Sequence, residues 1–314
     1  MSFVLSILCP VRTQTQRFLD THTMIRYFQV AGFRFAIEAT PQQLEQVPNY
    51  TPFLADESDG TYMFIIRVQQ ATLLAAKGWE HVYTDTSDED MPRIELYKND
   101  KGEWLFCVAV TAQGPLVSMM RCSADWKDVM LYTHPDYVRF AIDNAAMLVF
   151  AFATNSMKTL LFHSSVIRRQ GQAFMFLGKS GTGKSTHSKQ WLKAFEDAEL
   201  MNDDNPVVRI LPDGSVRVYG SPWSGKTPCY KAIEAPVKAL VQLAQAPHNE
   251  IALLRMTQAY PYLLASVSGL KLMPEMMDHL YESIAALLES VPVYKLECLP
   301  NEEAARVCAQ TCLS

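Results

Sequence analysis

Apolar and polar positions fall into two successive patterns along the chain. From Met24 to about Tyr132 the apolar residues come in short runs: Arg26–Ile37, Tyr62–Val68, His81–Thr84, Ile94–Lys98, Trp104–Thr111, Leu116–Cys122 and Val129–Tyr132. Turn residues separate them, among them Asp56–Gly60 and Asn99-Asp100-Lys101-Gly102. Short apolar runs between such breaks predict strands, and so a β-rich N-terminal domain over 24–134. The acidic stretch Asp85–Asp90 reads as an exposed loop. The region shows no catalytic pattern, which suits a part that presents or recognises a substrate.

After Tyr132 the period lengthens. Pro135–Ser156 predicts a helix with proline in its first turn. Its most apolar part, Ala145–Ala153, is too short to cross a bilayer and reads as a buried core helix. Thr159–Arg168 is strand-like, with His163 in its middle, and Gln170-Gly171-Gln172 turns the chain. Ala173–Leu177 is an unbroken apolar run, the signature of a strand covered on both faces. Thr186–Phe195 has no Gly or Pro and sets Trp191, Leu192 and Phe195 on one helical face. Glu199–Asp204 predicts a short strand that ends in two carboxylates. Val207–Leu211 and Ser215–Tyr219 form a hairpin about Asp213-Gly214. Further expectations are a strand at Pro236–Leu243, an amphipathic helix at Pro274–Glu289, a strand at Val293–Leu296 and a helix at Glu302–Cys312. The alternation predicts an α/β domain over 135–314, and residues 1–23 read as an N-terminal extension.

The chemistry concentrates at Gly178-Lys179-Ser180-Gly181-Thr182-Gly183-Lys184-Ser185, a full match to the phosphate-cradling P-loop pattern. Its glycines let several backbone N–H groups converge on one anion, Lys184 adds a positive charge, and Ser185 offers a hydroxyl to Mg²⁺. The helix that follows points its positive N-terminal end at the same place. Asp203 and Asp204, one helix and one strand later, suit a divalent cation or a proton acceptor; taken alone, such a pair is a solvated turn before Pro206. His163 alone reads as a core histidine, brought to the phosphate end only if the hairpin register allows it. Lys226, in the Ser221–Thr227 loop, either closes over a phosphate or is a surface lysine.

In that order, Phe162-His163-Ser164-Ser165, the glycine loop through Thr186, and Asn202-Asp203-Asp204 resemble the nucleotide-binding core of HPr kinase/phosphorylases and phosphoenolpyruvate carboxykinases. The resemblance spans about residues 155–230. It implies a mixed-sheet P-loop fold binding ATP and Mg²⁺, or Mn²⁺. Lys184 then contacts the β- and γ-phosphates, and Ser185 ligates the metal. One of Asp203 and Asp204 serves as base in the kinase branch, or as metal ligand in the carboxykinase branch. His163 lies near the transferred phosphate or on the metal. The chain departs from the kinases in having Thr186 where Glu is common. It is also shorter than the carboxykinases and lacks their further substrate motifs.

The 314 residues, 49% of them hydrophobic, are enough for two domains. A net charge of -5 without a basic run gives no sign of a nucleic-acid partner. No segment predicts a membrane span or a signal peptide. Seven scattered cysteines suit free thiols in a reducing cytoplasm, and Cys308 and Cys312 share a helical face without completing a metal site. The expectation is an ATP-dependent phosphotransferase acting on a hydroxyl of a protein or small molecule, a serine hydroxyl being what the resemblance to the kinase branch implies. The alternatives are a nucleotide-binding switch or scaffold without phosphotransfer, and a carboxykinase-like enzyme acting on a small acid. Homo-oligomerisation is compatible with all three.

Overall fold

A computed structural model describes residues 22–56, 61–69, 78–85, 92–225, 227–268 and 276–313. Lys226, the acidic positions 86–90 and all but two residues of the N-terminal extension lie outside them. Among the described residues the chain forms two mixed sheets of nine strands each, with helices that pack mainly against the second.

In the first sheet, β1 (Met24–Val30) and β2 (Phe33–Ala39) replace the single strand expected over Arg26–Ile37. Ala31 and Gly32 both take positive φ, 52° and 80°, and reverse the chain. A short helix α1 (Pro41–Leu44) is closed by a Thr40–Gln43 capping box. Then come β3 (Leu54–Ala55), β4 (Ile65–Gln69), β5 (Glu80–Asp85), β6 (Arg93–Lys98), β7 (Trp104–Ala109), β8 (Leu116–Cys122) and β9 (Asp128–Thr133). The sheet order is β3-β1-β2-β4-β9-β8-β7-β6-β5. Pairing is parallel at β2–β4 and β4–β9 and antiparallel elsewhere.

Helix α2 (Val138–Thr154) joins the two sheets and is largely buried. Phe150 meets Phe33 and Phe35 of the first sheet on one side and Trp223 of the second part of the chain on the other. Phe152 packs on Phe106 and Trp126. With its flanking turns the helix, Pro135–Met157, is long and apolar enough to cross a bilayer, yet most of it is core.

The second sheet comprises β10 (Thr159–Leu161), β11 (Ser164–Arg169), β12 (Gln172–Leu177), β13 (Ala198–Asp204), β14 (Val207–Ile210), β15 (Val216–Tyr219), β16 (Glu234–Gln245), β17 (Glu250–Leu253) and β18 (Val293–Cys298). Helices α3 (Lys184–Ala194), α4 (Met256–Ser266), α5 (Met277–Ser290) and α6 (Glu302–Leu313) complete it. The order β10-β14-β15-β16-β12-β11-β13 continues through β18 and β17 beside β16. β12 lies parallel to β16, and β16 parallel to β18.

The unbroken apolar run of β12 has a packing reason. Phe174 and Phe176 face Trp191 of α3 and Cys308 and Cys312 of α6, while Ala173, Met175 and Leu177 join the core built around α2. Both faces are covered from Ala173 to Leu177, so none of those positions is polar.

Candidate active site

The predicted strand Thr159–Arg168 is interrupted at Phe162-His163, where β10 ends and β11 begins. The register nevertheless runs on across the gap. Leu161 pairs with Val207, the Phe162 N–H donates to Pro206 O (3.2 Å), and Ser164 pairs with Asp204. The break has a local cause. The His163 N–H donates instead to Ser266 O (2.7 Å), at the end of α4, and the Ser268 N–H donates to Leu161 O (2.8 Å).

β11 stands between β12 and β13 and is antiparallel to both, so these two strands end at the same edge. Ser164 faces Leu177 on one side and Asp204 on the other. This register brings three segments together: His163 before Ser164, the glycine loop after Leu177, and the carboxylate pair. β11 lies between the loop strand and the acid strand, and the histidine is the residue just before it.

Consecutive residues of a strand point to opposite faces, and this divides the two acids. Asp203 turns toward α3, where Ser185 Oγ donates to its Oδ1 at 3.0 Å. Asp204 turns the other way, and His163 Nδ1 lies 2.8 Å from its Oδ1. Asp203 is buried; His163 and Asp204 are partly open. A buried Ser165–Ser188 hydroxyl pair at 2.6 Å ties α3 to β11 on the Asp203 face. That contact fixes the distance from Ser185 to the sheet.

The loop between β12 and α3 is shaped by Gly181 (φ 80°) and Gly183 (φ 107°). A Cβ at either would meet open space. Their need is therefore for the left-handed backbone, not for room. Gly183 caps α3, so the helix begins at Lys184. Lys184 Nζ donates to Gly178 O (2.7 Å). Burial pulls its pKa down, against the opposing pull of Asp204 and Asp203.

A cleft of ≈ 570 Å³ opens between the loop and α4, with His163, Lys179, Ser180, Thr182, Gln242 and Tyr262 on its walls. Gly178 and Gly181 also line it. Thr186 lies on the other side of the loop, in a second cavity. The site residues named from the sequence thus lie on or beside one loop, except Lys226, which is outside the described residues. The donors at Ser185 and Asp203 are hydroxyl and carboxylate oxygens, a set that fits Mg²⁺ or Mn²⁺.

Three features escaped the sequence reading. Helix α4 forms a cleft wall, although Pro261 lies inside it; the only sequence signal for it was Ala259 and Leu263 at helical spacing. The loop Ser221–Gly225 is bonded through its backbone to the strand that carries the acids. In it the Gly225 N–H donates to Asp203 O (2.9 Å), and the Asn205 N–H donates to Trp223 O (3.2 Å). Finally, Trp223 Nε1 donates to Tyr50 Oη (3.1 Å), which links this loop to the N-terminal sheet region. His187, in the first turn of α3, is buried and accepts from Trp191 Nε1 (3.0 Å). Burial pushes its pKa down to about 4, so it is a neutral core residue.

No family model matches the chain, and no curated protein matches it. Among solved structures it is similar to the Hpr(Ser) kinase/phosphatase from Coxiella burnetii, at 10% sequence identity and a TM-score of 0.28, over 48% of this chain and 91% of that one. So distant a likeness assigns neither ligand nor reaction.

Proposed function

We propose that the chain is an ATP-dependent phosphotransferase that moves the γ-phosphate to a hydroxyl of a protein or small molecule. The observation that carries this reading is the division of the carboxylate pair, with Asp203 on the Ser185 hydroxyl and Asp204 on His163. A loop that only held nucleotide would have no use for a second carboxylate paired with a partly exposed imidazole in the cleft.

In this reading the loop amides and the α3 N-terminus receive the phosphates, and Lys184 leaves Gly178 O for the outer ones. Ser185 and Asp203 hold Mg²⁺ or Mn²⁺, which offsets phosphate charge when bound. Asp204 accepts the acceptor's proton, and His163 orients that carboxylate through Nδ1. Lys184 and the helix end stabilise the charge that develops on the transferring group.

The test is transfer of label from γ-labelled ATP with Mg²⁺, offered free serine and a cell lysate. Labelled acceptor that disappears with Asp204→Asn supports the reading. ATP-dependent stabilisation without any label movement would instead favour a nucleotide-binding switch.

A further inference from the structure

β16 ends at Gln245, and the chain returns from Glu250 as β17, on the other side of β18. Asn249 holds the turn between them. Its Nδ2 donates to Asn301 Oδ1 (3.2 Å) and Glu303 Oε2 (3.0 Å), and its Oδ1 accepts from the Leu299 N–H (2.9 Å). The Ala246 N–H donates to Cys298 O (3.2 Å). The residues on either side of Asn249, His248 and Glu250, are thereby set against the end of β18. There Glu297 is the register partner of Glu250.

Two carboxylates directly opposite each other on neighbouring strands repel, and here an imidazole joins them. His248 Nε2 lies 3.8 Å from Glu250 Oε2 and 3.5 Å from Glu297 Oε2. All three donor atoms lie within 4.8 Å of one another. Lys295 Nζ takes the other oxygen of Glu297, Oε1, at 2.7 Å. That contact orients the carboxylate and leaves Oε2 to the histidine. Glu250 has no ion pair besides His248 among the described residues, so two carboxylates share one lysine. One imidazole nitrogen and two carboxylate oxygens are a donor set that suits Zn²⁺, whereas Mg²⁺ prefers oxygen ligands alone. Ligands bound tetrahedrally at zinc stand about 3.4 Å apart, so the two spacings from His248 need to close by a few tenths of an ångström at most. β16, β12 and β11 lie between β18 and β13. At about 4.8 Å per strand, β18 is roughly 19 Å from the strand of Asp203.

We infer that His248, Glu250 and Glu297 form a zinc site, completed by water, that clamps the β16–β17 turn to β18. The ion offsets the repulsion between the two glutamates and fixes the end of β16. That end carries Gln245, whose Nε2 donates to Gly181 O of the glycine loop (3.2 Å). The site stands whether or not the chain transfers phosphate.

Calorimetric titration of the full chain with Zn²⁺, in the presence of excess Mg²⁺, tests this. The native chain should bind zinc, and His248→Ala and Glu297→Gln should each weaken that binding by about tenfold or more. Asp203→Asn should leave zinc affinity within about twofold of native, which separates this cluster from the Ser185–Asp203 donors. Co²⁺ in place of zinc should give the intense visible bands of four-coordination, and His248→Ala should lose them. His248 is exposed, so its replacement does not threaten the fold: native and His248→Ala should melt alike in EDTA, and zinc should raise the melting temperature of the native chain alone. The inference is overturned if zinc binds more weakly than about 1 mM, if either His248→Ala or Glu297→Gln keeps native zinc affinity, or if Asp203→Asn abolishes binding.

Discussion

Trp223 Nε1 donates to Tyr50 Oη across 173 positions of sequence, 3.1 Å apart and fully enclosed. Tyr50 belongs to the segment between α1 and β3, and Trp223 to the loop that braces Asp203. Asn49 Nδ2 reaches the same loop at Pro222 O (3.0 Å) and also donates to Asp143 Oδ1 of α2 (2.9 Å). The N-terminal sheet region is therefore fastened to the back of the carboxylate pair by buried polar bonds. Tyr50→Phe keeps the ring and removes the acceptor, leaving the indole N–H without its partner. A loss of about 1–3 kcal/mol is expected in urea unfolding. If the phosphotransfer reading holds, turnover should fall more than nucleotide affinity does, because the loop touches the acids and not the glycine turn.

Asp143 gives this junction a pH dependence. Burial raises its pKa to about 6, against the lowering effects of Asn49, Arg139 and Tyr50. A carboxyl whose folded pKa lies above its unfolded value favours the fold while protonated. Its contribution is complete below the unfolded value of 3.8 and is lost as pH rises through about 6. The size is about 3 kcal/mol. Asp143→Asn should abolish that slope, so the native-minus-variant stability difference should decline between about pH 4 and 6. A flat difference across that window would show that Asp143 titrates as an ordinary exposed carboxyl.

His187 acts with the opposite sign in an overlapping window. Its pKa is held down at about 4 by burial, so the fold favours the neutral ring. That stability is present above the unfolded value of 6.5 and is lost as pH falls through about 4, again about 3 kcal/mol. His187→Gln should blunt acid unfolding of the native chain. Because Asp143 gains stability where His187 loses it, only the single variants, followed by chemical denaturation from pH 3.5 to 7, separate the two.

What the sequence revealed about this site follows from the range of the interactions involved. The strand β12, the glycine turn and the start of α3 were readable because a doubly covered strand must be apolar throughout and a phosphate turn needs glycine at fixed places. The strand through His163 was readable, but not its break, which depends on Ser266 more than a hundred residues later. Helix α4 was hidden because Pro261 opposes a helix locally and the packing of Ala259 and Leu263 overrides it. The hairpin at Ala31-Gly32 was read through as one strand, since a single glycine between apolar runs is a weak stop. The bonds from Asn49 and Tyr50 leave no periodic trace at all, because each is a single long-range pairing.

The division between Asp203 and Asp204 yields the sharpest separation of effects. They are neighbours in sequence, so any change in net charge, fold or general field is nearly the same for both. Only the pleat distinguishes them, sending one to Ser185 and the other to His163. Asp203→Asn should therefore weaken metal binding selectively: half-maximal Mg²⁺ should rise by about tenfold, with turnover partly restored at high Mg²⁺ or with Mn²⁺. Asp204→Asn should leave Mg²⁺–ADP binding within about twofold of native and lower label transfer by about 10²–10⁴-fold at any metal concentration. Ser185→Ala should follow the first pattern and His163→Ala a weaker form of the second. Metal titrations of transfer, run beside calorimetry with Mg²⁺–ADP, check all four. If the two aspartate variants behave alike in both measurements, the opposite orientation of their side chains has no bearing on the reaction, and the assignment of metal and proton roles falls.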